Sequence, residues 1–211
     1  MKQIEESMIH TLEVTNLSYQ RENKIIFNNI SFTLHSGDAL IIQGSNGSGK
    51  TTLLESIAGL NTTYKGSILI NNNLTTEKQR NALIHYLDST HLFTKAYNVL
   101  DTSIFWNVAY STLKNNSYEL FLNGLNMLGI QEKADLDVEN LSLGQKKKLT
   151  LLRILLIPRP IWILDETLIG LDKNWTNYVE QILTMYRSQG GIVLIATHTN
   201  LKMYNSFNLK L

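Results

Sequence analysis

Apolar and polar residues alternate along Leu12-Glu-Val-Thr-Asn-Leu-Ser-Tyr19, the two-residue period of a half-buried strand. Ile25-Ile-Phe27 and Ile30-Ser-Phe-Thr-Leu34 predict a second strand, which His35-Ser-Gly37 ends. Asp38-Ala-Leu-Ile-Ile-Gln43 is a short apolar strand, and Thr52-Leu-Leu-Glu-Ser-Ile-Ala58 reads as a helix. Gly66-Ser-Ile-Leu-Ile70 predicts a strand, Asn71-Asn-Asn73 a turn, and Ala82-Leu-Ile-His-Tyr-Leu87 another strand. From about Asn98 to Leu136 the spacing turns helical, clearest at Leu120, Leu122, Leu125 and Leu128. Leu149-Thr-Leu-Leu-Arg-Ile-Leu-Leu-Ile157 carries Arg153 in its middle and reads as a buried helix. Pro158 and Pro160 break the chain before Ile161-Trp-Ile-Leu164, and Ile192-Val-Leu-Ile195 is the last long apolar run. Continuous apolar strands of this kind belong to parallel sheets covered on both faces. The pattern predicts one domain over 1–211, an α/β core with a helical lobe inserted at roughly residues 89–147.

Composition narrows the function classes. A chain of 211 residues, 43% hydrophobic and 18% charged, is long enough for a substantial core. A formal net charge of +1 provides no global field for nucleic acid or acidic lipid. With no cysteine, disulfides and Cys-based metal or redox sites are excluded. No apolar run is long enough to cross a membrane, and Met1-Lys-Gln-Ile-Glu-Glu6 is neither a secretory nor a transit signal. His10, His35, His85 and His91 lack metal-ligand spacing, and Lys146-Lys-Lys148 reads as a solvated helix face.

Between the third strand and its helix lie Gly44, Ser45, Asn46, Gly47, Ser48, Gly49, Lys50 and Thr51, which fit the P-loop pattern without a mismatch. The glycines let successive backbone N–H groups converge on one anion. The helix that follows, beginning near Thr52, points its positive end at the same place. Lys50 supplies a cation for the β- and γ-phosphates, and the Thr51 hydroxyl is a ligand for Mg²⁺. The motif predicts binding of a nucleoside triphosphate. Ile161-Trp-Ile-Leu-Asp165-Glu166 delivers two acids at the carboxyl edge of a strand, where open α/β sheets place ligands. Asp165 is expected to hold Mg²⁺, and Glu166 to polarise the water that attacks the γ-phosphate. Leu141-Ser142-Leu143-Gly144-Gln145 precedes a helix; alone it reads as an N-cap at Ser142.

The three elements together resemble the ATP-binding subunits of ABC transporters, whose signature is Leu-Ser-Gly-Gly-Gln, over about residues 12–211. That resemblance implies an ABC-type P-loop NTPase with a RecA-like core, an antiparallel β lobe and an inserted helical lobe. It implies ATP and Mg²⁺ as cofactors, and a head-to-tail dimer in which the Ser142, Gly144 and Gln145 loop of a second copy completes each ATP site. Tyr19 falls where the family stacks an aromatic on adenine, Ile169-Gly-Leu-Asp172 resembles the D-loop, and His198 occupies the place of the switch histidine. Three departures stand out. Tyr86-Leu-Asp-Ser-Thr-His-Leu-Phe93 lacks the family's glutamine, so Asp88, Ser89 or Thr90 must stand in; Leu143 replaces a signature glycine, and Thr167 replaces a proline.

Within the family the chain is most similar to the CcmA group of cytochrome c maturation. The shared passages include Phe27-Asn-Asn-Ile-Ser-Phe-Thr-Leu34 and Gly190-Gly-Ile-Val-Leu-Ile-Ala-Thr-His198. Trp162 and the Gly190-Gly191 lead-in are the most particular of them. This implies membrane partners of CcmB and CcmC type and haem delivery, or release of a haem-loaded chaperone. It also implies a peripheral inner-membrane location, on the cytoplasmic face of a bacterium or the matrix face of a mitochondrion. The ATPase of another small exporter of lipid, drug or lipoprotein, and a hydrolysis-impaired structural subunit, are the alternatives. A DNA-maintenance ATPase would need a long coiled coil between its motifs, and no sustained heptads occur here.

Overall fold

The computed structural model describes residues 10–88, 97–110, 117–157, 159–167, 173–197, 203 and 205–211. The chain forms two compact units, Met1–Leu87 with Arg159–Leu211, and Asp88–Pro158. Met1-Lys-Gln-Ile-Glu-Glu6 lies outside the described residues.

The first unit holds both sheets. In one, β1 (Thr11–Arg21) pairs antiparallel with β2 (Lys24–His35) and with β4 (Tyr64–Ile70), and the two-residue β5 (Asn73–Leu74) closes the order β2-β1-β4-β5. Leu12, Val14, Leu17 and Tyr19 face the core, the alternation shifting phase at an irregularity between Val14 and Leu17 where Asn16 takes a φ of 51°. The two apolar patches of 25–34 belong to one strand, as expected. Asn71 and Asn72 adopt left-handed φ of 52° and 60°, a conformation asparagine tolerates better than most residues.

The other sheet has the order β6-β7-β8-β3-β9. Its strands are β3 (Ala39–Gln43), β6 (Ile84–Asp88), β7 (Ile161–Asp165), β8 (Ile192–Ala196) and β9 (Ser206–Lys210). The pairs β7 with β8, β8 with β3 and β3 with β9 are parallel. Every residue of β7 and β8 is buried, as their unbroken apolar runs require. Helix α1 (Lys50–Ala58) follows β3, and α6 (Lys173–Ser188) precedes β8. Helix α6 buries Val179, Ile182, Leu183 and Tyr186, the i, i+3, i+4, i+7 stripe of an amphipathic helix.

Two features of this unit differ from the sequence pattern. The strand expected from Ala82 begins at Ile84, because residues 77–83 are helical (α2, Glu77–Leu83). A capping box starts α2: the Thr76 hydroxyl accepts from the Gln79 N–H at 3.3 Å, and the Thr76 N–H donates to the Gln79 carboxamide oxygen at 2.8 Å. Strand β9 was not foreseen, since its main chain pairs with β3 while Phe207 remains 53% exposed.

The second unit contains α3 (Val99–Tyr110), α4 (Ser117–Met127) and α5 (Leu143–Leu156), with short 3₁₀ turns at Gln131–Lys133 and Val138–Asn140. It takes in all of α5, so it reaches beyond the expected boundary at 147. The buried stripe of α4 is Phe121 and Leu125, continued by Leu128, whereas Leu120 lies on the exposed side. Gly124 lets α5 approach, because a methyl there would overlap the Leu152 side chain. The lysine run is not a solvated face. Lys146 donates to the Glu139 carbonyl and Lys148 to the Leu128 carbonyl, both at 3.0 Å, while burial lowers the pKa of Lys147.

Candidate active site

Strand β3 ends at Gln43, and the loop that follows is wrapped tightly. The Ser48 N–H donates to the Ser45 carbonyl at 3.1 Å, and a Cβ on Gly44 would lie 2.5 Å from the Ser48 hydroxyl and 2.8 Å from the Leu211 carbonyl. Gly49 caps α1 with φ of 102°, a conformation open to glycine, and contributes no side chain over the helix end. The first turn of α1 therefore keeps its backbone N–H groups directed at whatever the loop encloses. Ser45, Asn46 and Gly47 are exposed, as is Thr51; Thr52 is half-buried. Lys50 is 4% exposed, and its ammonium donates to the Gly44 and Ser45 carbonyls at 3.0 and 3.1 Å.

The acid pair arrives from far along the chain. Asp165 ends β7 with 4% exposure, and the Tyr86 hydroxyl of β6 donates to its Oδ2 at 3.1 Å. Glu166 turns into the left-handed region, φ 54°, and its N–H donates to the Ala196 carbonyl at 2.9 Å, one step beyond the β7–β8 ladder. That conformation costs a non-glycine residue on the order of 1–3 kcal/mol and marks a position held by its surroundings. Its effect is to bring Glu166 Oε1 within 3.7 Å of the Lys50 ammonium. Cation, metal-binding candidate and base candidate therefore converge at the carboxyl edge of the parallel sheet. Strand β8 lies between β7 and β3 in the sheet order and ends at Ala196. His198, Ile169-Gly-Leu-Asp172, Ser89 and Thr90 lie outside the described residues, and Asp88 is half-buried.

Tyr19 lies on β1. Its side chain is 9% exposed in the core, stacked on Phe27 with ring centroids 5.9 Å apart. Hydrogen bonds with Asn61 and Thr63 lower its pKa from the ordinary phenol value. It shares the inward parity of Leu17 on β1. Tyr86, by contrast, escaped the sequence reading; an aromatic in an apolar strand gave no sign that its hydroxyl reaches a carboxylate of β7.

The signature loop belongs to the second unit. Ser142 caps α5 in a full capping box: its hydroxyl accepts from the Gln145 N–H at 3.3 Å, and its own N–H donates to the Gln145 carboxamide oxygen at 2.9 Å. Ser142 and Gly144 are exposed, Leu143 is 62% exposed, and nothing lies within 4 Å of a Cβ built on Gly144. The loop presents a hydroxyl and a helix N-terminus to the outside. Among the described residues no cluster of His, Cys, Asp and Glu forms a metal site of three or more ligands, and no helix is long and apolar enough to cross a membrane.

Fold and site together define a P-loop nucleotide-binding protein. The ABC transporter family matches residues 27–168. A Reclinomonas americana protein named cytochrome c biogenesis ATP-binding export protein CcmA is 45% identical over 92% of this chain and 88% of its own length. The CcmA of Chelativorans sp. is 31% identical, over 95% of this chain and 97% of its own. A Pyrococcus furiosus ABC transporter ATP-binding protein shares the fold, with a TM-score of 0.81 at 23% identity, covering 95% of this chain and 97% of that one. The chain belongs to the ABC transporter family as an ATP-binding ATPase, and within it to the CcmA group.

Proposed function

We propose that the chain is the ATP-hydrolysing subunit of a membrane complex for cytochrome c maturation, acting as a head-to-tail dimer closed around two ATP molecules. The observation that carries this reading is the 45% identity, over 92% of the chain, to the Reclinomonas americana CcmA. ATP-driven closure and opening would deliver haem or release a haem-loaded chaperone through partners of CcmB and CcmC type. The subunit would sit at the inner membrane through those partners, on a bacterial cytoplasmic face or a mitochondrial matrix face.

The donor set suits Mg²⁺: the Thr51 hydroxyl and Asp165 carboxylate are hard oxygen ligands, and so buried a carboxylate favours a cation beside it. When bound, Mg²⁺ neutralises charge on the β- and γ-phosphates. The backbone of Gly44, Ser45, Asn46, Gly47, Ser48 and Gly49 wraps the phosphates, with Thr52 in the first helical turn behind them. Lys50 exchanges its carbonyl partners for phosphate oxygens. Glu166 takes the proton of the attacking water, and His198 holds the γ-phosphate and orients Glu166. Ser142, Gly144 and Gln145 of the second copy close over the same phosphates, which the outward presentation of that loop supports.

The test is recovery of tagged Glu166→Gln protein with ATP from native membranes, read by mass spectrometry. Co-recovery of CcmB- and CcmC-like proteins supports the reading. Recovery of a different membrane subunit instead reassigns the ATPase to another small exporter.

A further inference from the structure

We propose that Tyr86 is a positioning residue for the metal-binding carboxylate, and that it ties β6 to the active site in a chain whose following segment lacks the family's glutamine. The inference rests on the reading of Asp165 as the Mg²⁺ ligand. Its basis is geometric. Strands β6 and β7 are neighbours in the sheet, and the Tyr86 hydroxyl donates to Asp165 Oδ2 at 3.1 Å. Asp165 is 4% exposed, so this bond is made in a site largely closed to water. A hydroxyl that donates to a buried carboxylate limits the rotamers both groups can adopt. It restrains the carboxylate's rotation, and so the direction in which its oxygens are offered to a cation. No glutamine occurs between Tyr86 and Phe93, and among the described residues the Tyr86 hydroxyl of β6 makes a polar contact with the acid pair. Strand β6 ends at Asp88, the residue at which the second compact unit begins. Tyr86 thus stands two residues before the entry to the helical unit while its hydroxyl touches the metal-binding acid.

Tyr86→Phe removes one oxygen and keeps the ring. Partners that orient metal ligands are typically worth about 10–100-fold in metal affinity. Binding of Mn²⁺ in the presence of an imido analogue of ATP, followed by electron paramagnetic resonance, should weaken by about tenfold in this variant. The Mg²⁺ concentration for half-maximal ATP hydrolysis should rise by the same factor, with KM for ATP unchanged at saturating Mg²⁺. Asp165→Asn is the companion variant. If it loses Mn²⁺ while Tyr86→Phe binds as the parent protein does, Tyr86 has no positioning role and the proposal fails alone. If Asp165→Asn also binds Mn²⁺ normally, the reading of Asp165 fails and takes the proposal with it. Loss of thermal stability in Tyr86→Phe in step with any loss of metal would mean a purely structural tyrosine, which equally overturns the proposal.

Discussion

Gly191→Ala adds one methyl to a buried position, and the structure says what that methyl meets. Gly191 opens the run into β8 at an ordinary backbone angle, so alanine is not strained there. Restricting the unfolded chain would by itself stabilise the protein by about 0.4–1 kcal/mol. The methyl, however, would overlap the ring of Tyr186. That ring has little room to retreat. It is 8% exposed, it stacks on Trp162 with centroids 3.7 Å apart and planes 9° apart, and its hydroxyl donates to the Arg159 carbonyl at 2.7 Å. Burial pushes the phenol's pKa far up, so it remains a donor at any ordinary pH. Overpacking of this kind costs about 1–3 kcal/mol, and a displaced hydrogen bond about 1 more, which after the gain leaves a net loss of roughly 1–3.5 kcal/mol, centred on about 2–3. For a chain of this size that is a fall in Tm of roughly 5–10 °C. The assay is urea unfolding followed by far-ultraviolet circular dichroism, for Gly191→Ala in the parent and in a Tyr186→Leu background. With the ring gone, the cost of the methyl should fall below about 1 kcal/mol, a coupling that only neighbours show. Equal costs in both backgrounds, or a Gly191→Ala protein as stable as its parent, would refute the reasoning.

Three further expectations concern the chemistry. Glu166→Gln should still bind ATP and form the closed dimer, with phosphate release slowed roughly 10²–10⁴-fold; parental turnover would remove Glu166 as the base. Lys50→Ala should lose ATP affinity by calorimetry and the ATP-dependent dimer by light scattering, whereas unchanged affinity would place the phosphates elsewhere. Ser142→Ala should cost about 1 kcal/mol through the lost cap, visible in thermal unfolding, and slow hydrolysis as well. Ser142→Asp separates the two roles, since it caps the helix but sets a negative charge toward phosphate. Its stability should match the parent's and its hydrolysis should still fall; restored hydrolysis would mean that capping is all Ser142 does.

Local patterns were legible wherever one residue's neighbours decide its state. The P-loop is readable because glycines, lysine and helix start are consecutive, and β7 and β8 because burial on both faces demands unbroken apolar runs. Less legible was anything decided by a partner distant in sequence. The 3.7 Å approach of Lys50 to Glu166 depends on which strands lie side by side, and the Tyr86 contact on the same order. Strand β9 is held by main-chain pairing, which leaves no side-chain signature. Other differences had a signal that a stronger pattern masked. Thr76 and Gln79 spell a capping box, yet the apolar Ala82-Leu-Ile84 drew the strand too far back. In α4, Phe121 with Leu125 and Leu128 is a better i, i+4, i+7 stripe than one containing Leu120.

The distribution of general and particular residues carries a physical consequence. Lys50, Asp165 and Glu166, which match motifs general to ABC ATPases, lie at the carboxyl edge of the parallel sheet, the proposed place of phosphate chemistry, and Ser142 caps α5 in an exposed loop. Trp162 and Gly191, the residues most particular to the CcmA-like pattern, never reach that place. They enclose the Tyr186 ring behind the sheet edge. An ATP site built from shared parts has no means of choosing a cargo, since ATP, Mg²⁺ and water are the same in every member. Whatever specialises such a subunit must act through surfaces away from the phosphates, and through residues that join those surfaces to the carboxylates. Tyr86, the proposed positioning residue, bonds to Asp165 and lies two residues before the end of β6.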